Sequence, residues 1–118
     1  MEKMYIKDIS KELDIPEYIL RFYDKKGLIP FMQRDDSNNY RYINREKIEW
    51  VRIVSCLKKS GMPLAQIKEY IDLAIQGKQT YPQRLEMMLE QERQVKKQIN
   101  ELKEQLKYIQ YKKSLYSK

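Results

Sequence analysis

The sequence predicts a mainly helical protein, in which a small head of short helices and a hairpin precedes one long C-terminal helix. Two observations predict this division. Apolar residues recur at steps of three and four through four short segments bounded by proline or glycine. In contrast, the stretch from Thr80 to about Lys113 has no internal helix breaker. We therefore assign the head to residues 1–75, a linker to residues 76–80 and the long helix to residues 81–118.

The first two predicted helices form a helix-turn-helix. Ile6, Ile9 and Leu13 lie on one face of the first helix. The second helix, residues 16–26, opens with a proline, which suits the first turn of a helix rather than its interior. Gly27 is a natural stop for it. Two short helices joined by a tight turn are typical of this motif.

A hairpin and two further helices complete the predicted head. The turn-rich "DDSNN" separates two strand-like segments, residues 32–34 and 40–42. Asn44 is the predicted N-cap of a third helix that runs to Ser60. Pro63 then opens the fourth helix.

The long helix carries one apolar stripe. Thr80 and Gln83 have the spacing of a capping box at its start. The positions of this stripe alternate steps of three and four, with Glu92 as a polar break between Met88 and Val95, which is typical of a coiled-coil seam. We expect dimerisation through the apolar positions Leu85, Met88, Val95, Ile99, Leu102, Leu106 and Ile109. Such a seam needs a second helix, and the simplest source is a twofold homodimer. The alternative is that the helix folds back onto its own head.

The amino-acid composition indicates which class of partner the protein binds. The formal charge is 24 − 17 = +7 and the pI is about 9.4, which favours a polyanion, either nucleic acid or an anionic membrane. No apolar run is long enough for a membrane span, and the N-terminal residues lack the apolar core of a signal peptide, so we expect a cytoplasmic protein.

Enzymatic and metal functions are disfavoured. The chain has no histidine and a single cysteine, whereas soft-metal sites use two or more thiolates or imidazoles. It also lacks a glycine-rich phosphate loop and an evident pair of carboxylates. We therefore predict a protein that is not an enzyme and that has no cofactor.

Several motifs resemble the MerR family of bacterial transcription regulators. They are "LRFYDKKGLI", "NYRYI" and "SCLKKSGMPLAQIKEYIDLAIQGKQTYPQRLEMM"; the last is similar to a branch of short, thiol- or aldehyde-responsive members, the AdhR/NmlR-like proteins. The resemblance implies a winged helix-turn-helix DNA-binding domain and a dimer held by an antiparallel coiled coil. It also implies a twofold operator in double-stranded promoter DNA, distortion of that DNA, and RNA polymerase as a partner at the promoter.

The DNA-binding candidates lie on the second helix and the hairpin, or wing. Arg21 and Tyr23 match the family motif, although the Tyr23 ring could instead belong to the core. Arg41 would contact a phosphate, which positions a protein without reading sequence. The full set of candidates is Tyr18, Arg21, Tyr23, Lys25, Arg34, Tyr40, Arg41 and Tyr42.

Cys56 has two interpretations. Arg52 and Lys59 are expected on its side of the third helix, and positive neighbours favour the nucleophilic thiolate, so Cys56 could sense an electrophile, an aldehyde or an oxidant. Alternatively, it is a buried residue that fills space in the core.

Two further alternatives stay open. Tyr70, Tyr81, Met87 and Met88 could line an apolar ligand pocket, or could pack the long helix onto the head. The rival to a DNA-binding regulator is a coiled-coil interaction module whose helical head binds protein.

Overall fold

The computed structural model describes residues 2–118 and confirms a helical head followed by one long helix. Five α-helices and three short strands alternate with two 3₁₀ turns, Arg45–Lys47 and Lys78–Thr80. The elements are β1 (Lys3–Tyr5), α1 (Ile6–Leu13), α2 (Glu17–Lys25), β2 (Gln33–Arg34), β3 (Arg41–Asn44), α3 (Ile48–Lys59), α4 (Leu64–Gln76) and α5 (Tyr81–Tyr116).

The predicted helix-turn-helix is present as α1 and α2. Asp14 ends α1 in the left-handed conformation with φ 55°, which a short polar side chain tolerates. Gly27 has φ 75°, and Leu28 N donates a 3.0 Å hydrogen bond to Tyr23 O beyond the end of α2. This is the glycine C-cap expected from the sequence, and it turns the chain toward the wing.

The wing belongs to a three-stranded antiparallel sheet with the order β1-β3-β2. The hairpin was predicted, but β1 was not. Met4 pairs with Ile43, and Gln33 pairs with Tyr42. Three residues are too few to show an alternating pattern, so only the pairing with β3 reveals that "KMY" is extended.

One apolar core joins α1, α2, the sheet, α3 and α4. Its fully buried members include Ile9, Leu20, Ile43, Val54 and Ile67. They come from every predicted apolar face, so the core orients α2 and the wing relative to each other.

Two predicted helix starts differ from the structure. Within residues 2–118, the Asn44 side chain makes no capping bond, and the 3₁₀ turn Arg45–Lys47 stands between it and α3. The predicted capping box of Thr80 and Gln83 is wrong. The Thr80 hydroxyl lies 2.7 Å from both Leu73 O and Gly77 O at the end of α4, and it accepts from Arg84 Nε at 3.0 Å rather than from a backbone amide of α5.

Helix α5 spans 36 residues, which is about 54 Å at 1.5 Å per residue. It makes the protein elongated, with principal extents of 66 × 34 × 22 Å. Met88 packs against the head core, whereas Leu102, Leu106 and Ile109 are exposed. The alternative that the whole helix folds back onto the head is therefore wrong. Between residues 2 and 118, no helix is both long and apolar enough to span a membrane.

Candidate nucleic-acid interface

Helix α2 presents two of the predicted residues outward and buries a third. Tyr18 is 70% exposed, and Arg21 is exposed beside Glu17, with 3.1 Å between Nη2 and Oε1. Tyr23 is only 4% exposed. Burial raises the pKa of Tyr23, and the neighbouring Ser55 opposes that shift. Tyr23 thus belongs to the core, and its predicted place on the DNA-facing surface is corrected.

The turn of the wing is organised around a buried carboxylate that the sequence did not single out. Asp35 accepts hydrogen bonds from the Tyr5 hydroxyl at 2.5 Å, from Lys3 Nζ at 3.1 Å, and from the Ser37 amide and hydroxyl at 2.9 and 2.7 Å. These bonds, led by that from Tyr5, hold the pKa of Asp35 well below its usual range. Two of the donors come from β1, so the missed strand is what fixes the wing turn.

Aromatic residues cover one side of the wing. The Tyr5 ring meets the rings of Tyr40 and Tyr42 edge-on, at centroid distances of 6.3 and 6.0 Å. Tyr40 remains 66% exposed, and Tyr42 is half-buried with Lys3 Nζ 4.8 Å from its ring centroid. Arg34 is exposed and donates to Asn39 O and Oδ1 at 3.0 and 3.2 Å. Asn39 has φ 64°, a left-handed conformation that asparagine tolerates.

Arg41 ties the wing to α2. Its Nε donates to Asp24 Oδ2 at 2.9 Å and its Nη2 donates to Asp24 Oδ1 at 2.8 Å. Hydrogen bonding to Asp24 raises the pKa of Arg41. A guanidinium has five N–H donors in a fixed fork, so this bidentate pair leaves donors for a second acceptor. The predicted phosphate contact of Arg41 is joined by a structural role that the sequence did not suggest.

These elements enclose one cleft between α2 and the wing. Its lining includes Arg21 from α2 and Tyr40 and Arg41 from the wing, together with Lys7 from α1. Sequence reasoning missed Lys7, because a lysine on the polar face of a short helix carries no motif. Tyr18, Lys25 and Arg34 are exposed but do not line this cleft.

The only cysteine lies on a different face of the head. Cys56 is exposed, so the interpretation as a buried space-filling residue is wrong. It shares a shallow depression with Arg52 and Lys59, as the helical spacing predicted. Arg52 also pairs with Glu49 at 3.1 Å, which offsets part of its charge near the thiol.

Two of the four aromatic and methionine residues near α5 pack against the head. Tyr70 and Met88 pack against the head core. Tyr81 is 55% exposed, with the Arg84 guanidinium 4.6 Å from its ring centroid. The interpretation as packing between α5 and the head therefore agrees with the contacts of Tyr70 and Met88.

Comparison with known proteins identifies the family. The model of the MerR HTH family regulatory proteins matches residues 4–74, and that of the MerR DNA-binding family matches residues 48–111. An uncharacterized HTH-type transcriptional regulator of Haemophilus influenzae is 38% identical over 92% of this chain and 80% of its own length. AdhR of Bacillus subtilis is 28% identical over 75% of this chain and 62% of its own length.

Solved structures agree with this family assignment. HiNmlR, a MerR family regulator that lacks the sensor domain and was crystallised bound to promoter DNA, has a TM-score of 0.86 and 34% identity, covering 98% of this chain and 91% of that one. A MerR family regulator from Bacillus thuringiensis has a TM-score of 0.88 and 34% identity, covering 96% and 98% of the two chains. The chain therefore belongs to the MerR family of helix-turn-helix transcriptional regulators.

Proposed function

We propose that this protein binds a twofold operator in double-stranded promoter DNA as a homodimer, and that it distorts the operator so that RNA polymerase can use the promoter. The observation that carries the proposal is the cleft in which Arg21 of α2 and Tyr40 and Arg41 of the wing meet. The relative HiNmlR, 34% identical across nearly the whole chain, was crystallised on promoter DNA.

Each head would contact DNA with two elements. Helix α2 has nine residues, and an α-helix, with a diameter of about 10–12 Å, fits a major groove about 12 Å wide. Tyr18 and Arg21 would face the bases or phosphates of that groove. The wing, braced on α2 through Arg41 and Asp24, would contact the flanking backbone with Tyr40 and the remaining N–H groups of Arg41.

A dimer would make enough DNA contacts to offset the free-energy cost of bending the operator. Bending a site of 20–30 base pairs costs on the order of 1–6 kcal/mol, and contacts from two heads offset that cost better than contacts from one. The exposed apolar residues of α5, including Ile99, Leu102, Leu106 and Ile109, would pair with the same residues of a second copy in an antiparallel coiled coil.

The test is binding to promoter duplexes at two salt concentrations, followed by fluorescence anisotropy. We expect a dimer to bind the duplexes in a sequence-dependent way. Its affinity should fall steeply between about 50 and 200 mM salt, because phosphate contacts release counterions. If the head is instead a protein-binding module, anisotropy will show no sequence-sensitive, salt-steep binding to any promoter fragment.

We further propose that Cys56 regulates this binding as an electrophile sensor. Its support is an exposed thiol in a depression that also holds Lys59 and Arg52. The thiolate would add to the carbonyl carbon of an aldehyde, forming one C–S bond as the C=O π bond breaks, and the resulting alkoxide oxygen would take a proton from water. Transcription from a bound promoter, with and without formaldehyde, tests this: Cys56→Ala should lose the response and keep basal DNA affinity. An unchanged response in that variant rules the sensor out.

A further inference from the structure

A polar stripe on α5 holds the head. Arg84, Gln91 and Gln98 recur every seven residues, so they lie on one face of the helix. Gln91 Nε2 donates to Ser60 O at 3.1 Å and lies 2.9 Å from Ser60 Oγ, and Gln98 Nε2 donates to Ser60 O at 2.9 Å. Arg84 Nη2 donates to Gly77 O at 3.0 Å.

Both acceptors are carbonyls at the ends of helices. Ser60 caps the C-terminus of α3, and Gly77 caps the C-terminus of α4. The last carbonyls of a helix lack partners within it and accept hydrogen bonds from outside. The polar stripe therefore supplies donors at two fixed points of the head, one for each helix end.

The contacts at Ser60 and Gly77 together constrain the angle of α5 relative to the head. Arg84 and Gln98 are fourteen residues apart, which is about 21 Å along the helix. Gly77 lies next to the chain connection, so a bond there constrains the angle of α5 only weakly. Ser60 is the distant point, and two amide donors converge on it. Gln98 is exposed to water, so the distant attachment can open and close without disturbing the core.

We infer that Gln91 and Gln98 are positioning residues that set the angle between head and coiled coil, and through it the spacing of operator half-sites that the dimer accepts. This inference rests on the proposed function. In a twofold dimer, the angle of each head fixes the separation of the two α2 helices. A shift of one base pair moves a half-site by about 3.4 Å and rotates it by about 35°, so the head angle must be held closely to favour one spacing.

The test is selection from a pool of duplexes with a randomised centre of about 30 base pairs. The variant Gln91→Met with Gln98→Met removes the amide donors but keeps side-chain length and helix propensity. The matched control is Gln83→Met with Gln110→Met; Gln83 and Gln110 are exposed, and neither lines the crevice between α5 and Ser60. Analytical ultracentrifugation verifies that each protein is dimeric, and Gln98→Met alone replaces the double variant if the latter does not fold.

We expect the parent and the control to enrich inverted repeats at a single spacing. The double variant should enrich the same half-sites over a wider range, and its preference between adjacent spacings should fall about fivefold or more. The same half-sites at the same single spacing, with an unchanged preference, would overturn the inference and leave the proposed function intact. A parent that enriches no inverted repeat would overturn both.

Discussion

The two halves of α5 are one continuous helix, yet their apolar residues meet different surroundings. In the first half, Met88 packs against the head core and Gln91 and Gln98 bond to Ser60. In the second half, Leu102, Leu106 and Ile109 are 63%, 53% and 62% exposed. The head therefore covers the apolar stripe at Met88 and leaves it open at Leu102, Leu106 and Ile109.

Surface ion pairs do not explain the helicity of the second half. Lys107 lies 3.4 Å from Glu104, and such exposed pairs contribute about 0–1 kcal/mol. In proteins, a helix gains most of its stability from the packing of its apolar face against other parts of the structure. The first half of α5 therefore packs on the head, whereas the apolar residues of the second half are left uncovered by the rest of the described chain.

The largest expected effect comes from charging the open face. Leu102→Lys with Leu106→Lys should weaken dimerisation by more than about 4 kcal/mol, roughly a thousandfold, because four buried leucines would be lost per dimer. Sedimentation velocity measures this. Tyr108→Lys with Tyr111→Lys is the control, since these tyrosines are similarly exposed but lie outside the predicted seam. Equal loss in both variants would contradict the seam.

Next in size is the contact of the head with DNA. Arg21→Ala should weaken operator binding by about 1–3 kcal/mol per half-site and reduce the salt slope if its partner is a phosphate. Arg93→Ala is the matched control, because Arg93 also pairs with a glutamate of its own helix, Glu90, at 2.6 Å. Anisotropy titrations that show no difference between the two variants would remove Arg21 from the interface.

A smaller effect is expected on the stability of the head, which should depend on the first half of α5 and not on the second. Met88→Ala should lower the free energy of unfolding of the head by about 1–2 kcal/mol, because a partly buried side chain is lost from the core. Ile109→Ala, measured in the monomeric Leu102→Lys, Leu106→Lys background, should leave it within about 0.5 kcal/mol. Urea unfolding followed by circular dichroism reports both values, and a head insensitive to Met88→Ala would show that the first half does not stabilise it.

The smallest expected effect is a pH dependence of stability that comes from Asp35 in the wing and appears at acid pH. Folding lowers the pKa of Asp35, so the folded state binds fewer protons than the unfolded state. The stabilisation is present above about pH 4 and is lost as the pH falls through the folded-state pKa. Asp35→Asn should therefore destabilise the head at pH 7, and the difference from the parent should shrink at pH 3. Thermal unfolding at both values tests this, and a constant difference would contradict it.

Sequence patterns located the helices because the relevant signals are local. Pro16, Gly27 and Pro63 bound helices through backbone constraints that no tertiary contact is needed to express. The sequence patterns failed where a contact with a distant segment determines the local structure. β1 exists because β3 pairs with it, and Thr80 bonds to α4 because that helix end is close. Asp35 and Lys7 escaped notice for the same reason. Asp35 bonds to Lys3 and Tyr5, which are distant in sequence, and Lys7 meets the wing only in the folded head.

The candidate site shows the same division. The motif around Arg21 and the aromatic and basic residues of the wing could be predicted, whereas the burial of Tyr23 and the pairing of Arg41 with Asp24 could not. Whether a ring faces inward depends on how a helix packs, and the helical period alone left Tyr23 on the edge of the apolar face.

The sequence by itself determined the helical head, the length of α5, the apolar stripe on α5 and the family, because periodicity and turn residues act over a few positions. Only the tertiary structure decided that Cys56 is exposed, that the wing rests on Asp35 and Asp24, and that Gln91 and Gln98 bind the end of α3. Each of these depends on groups more than ten residues apart coming together, and local propensity carries no information about such distances.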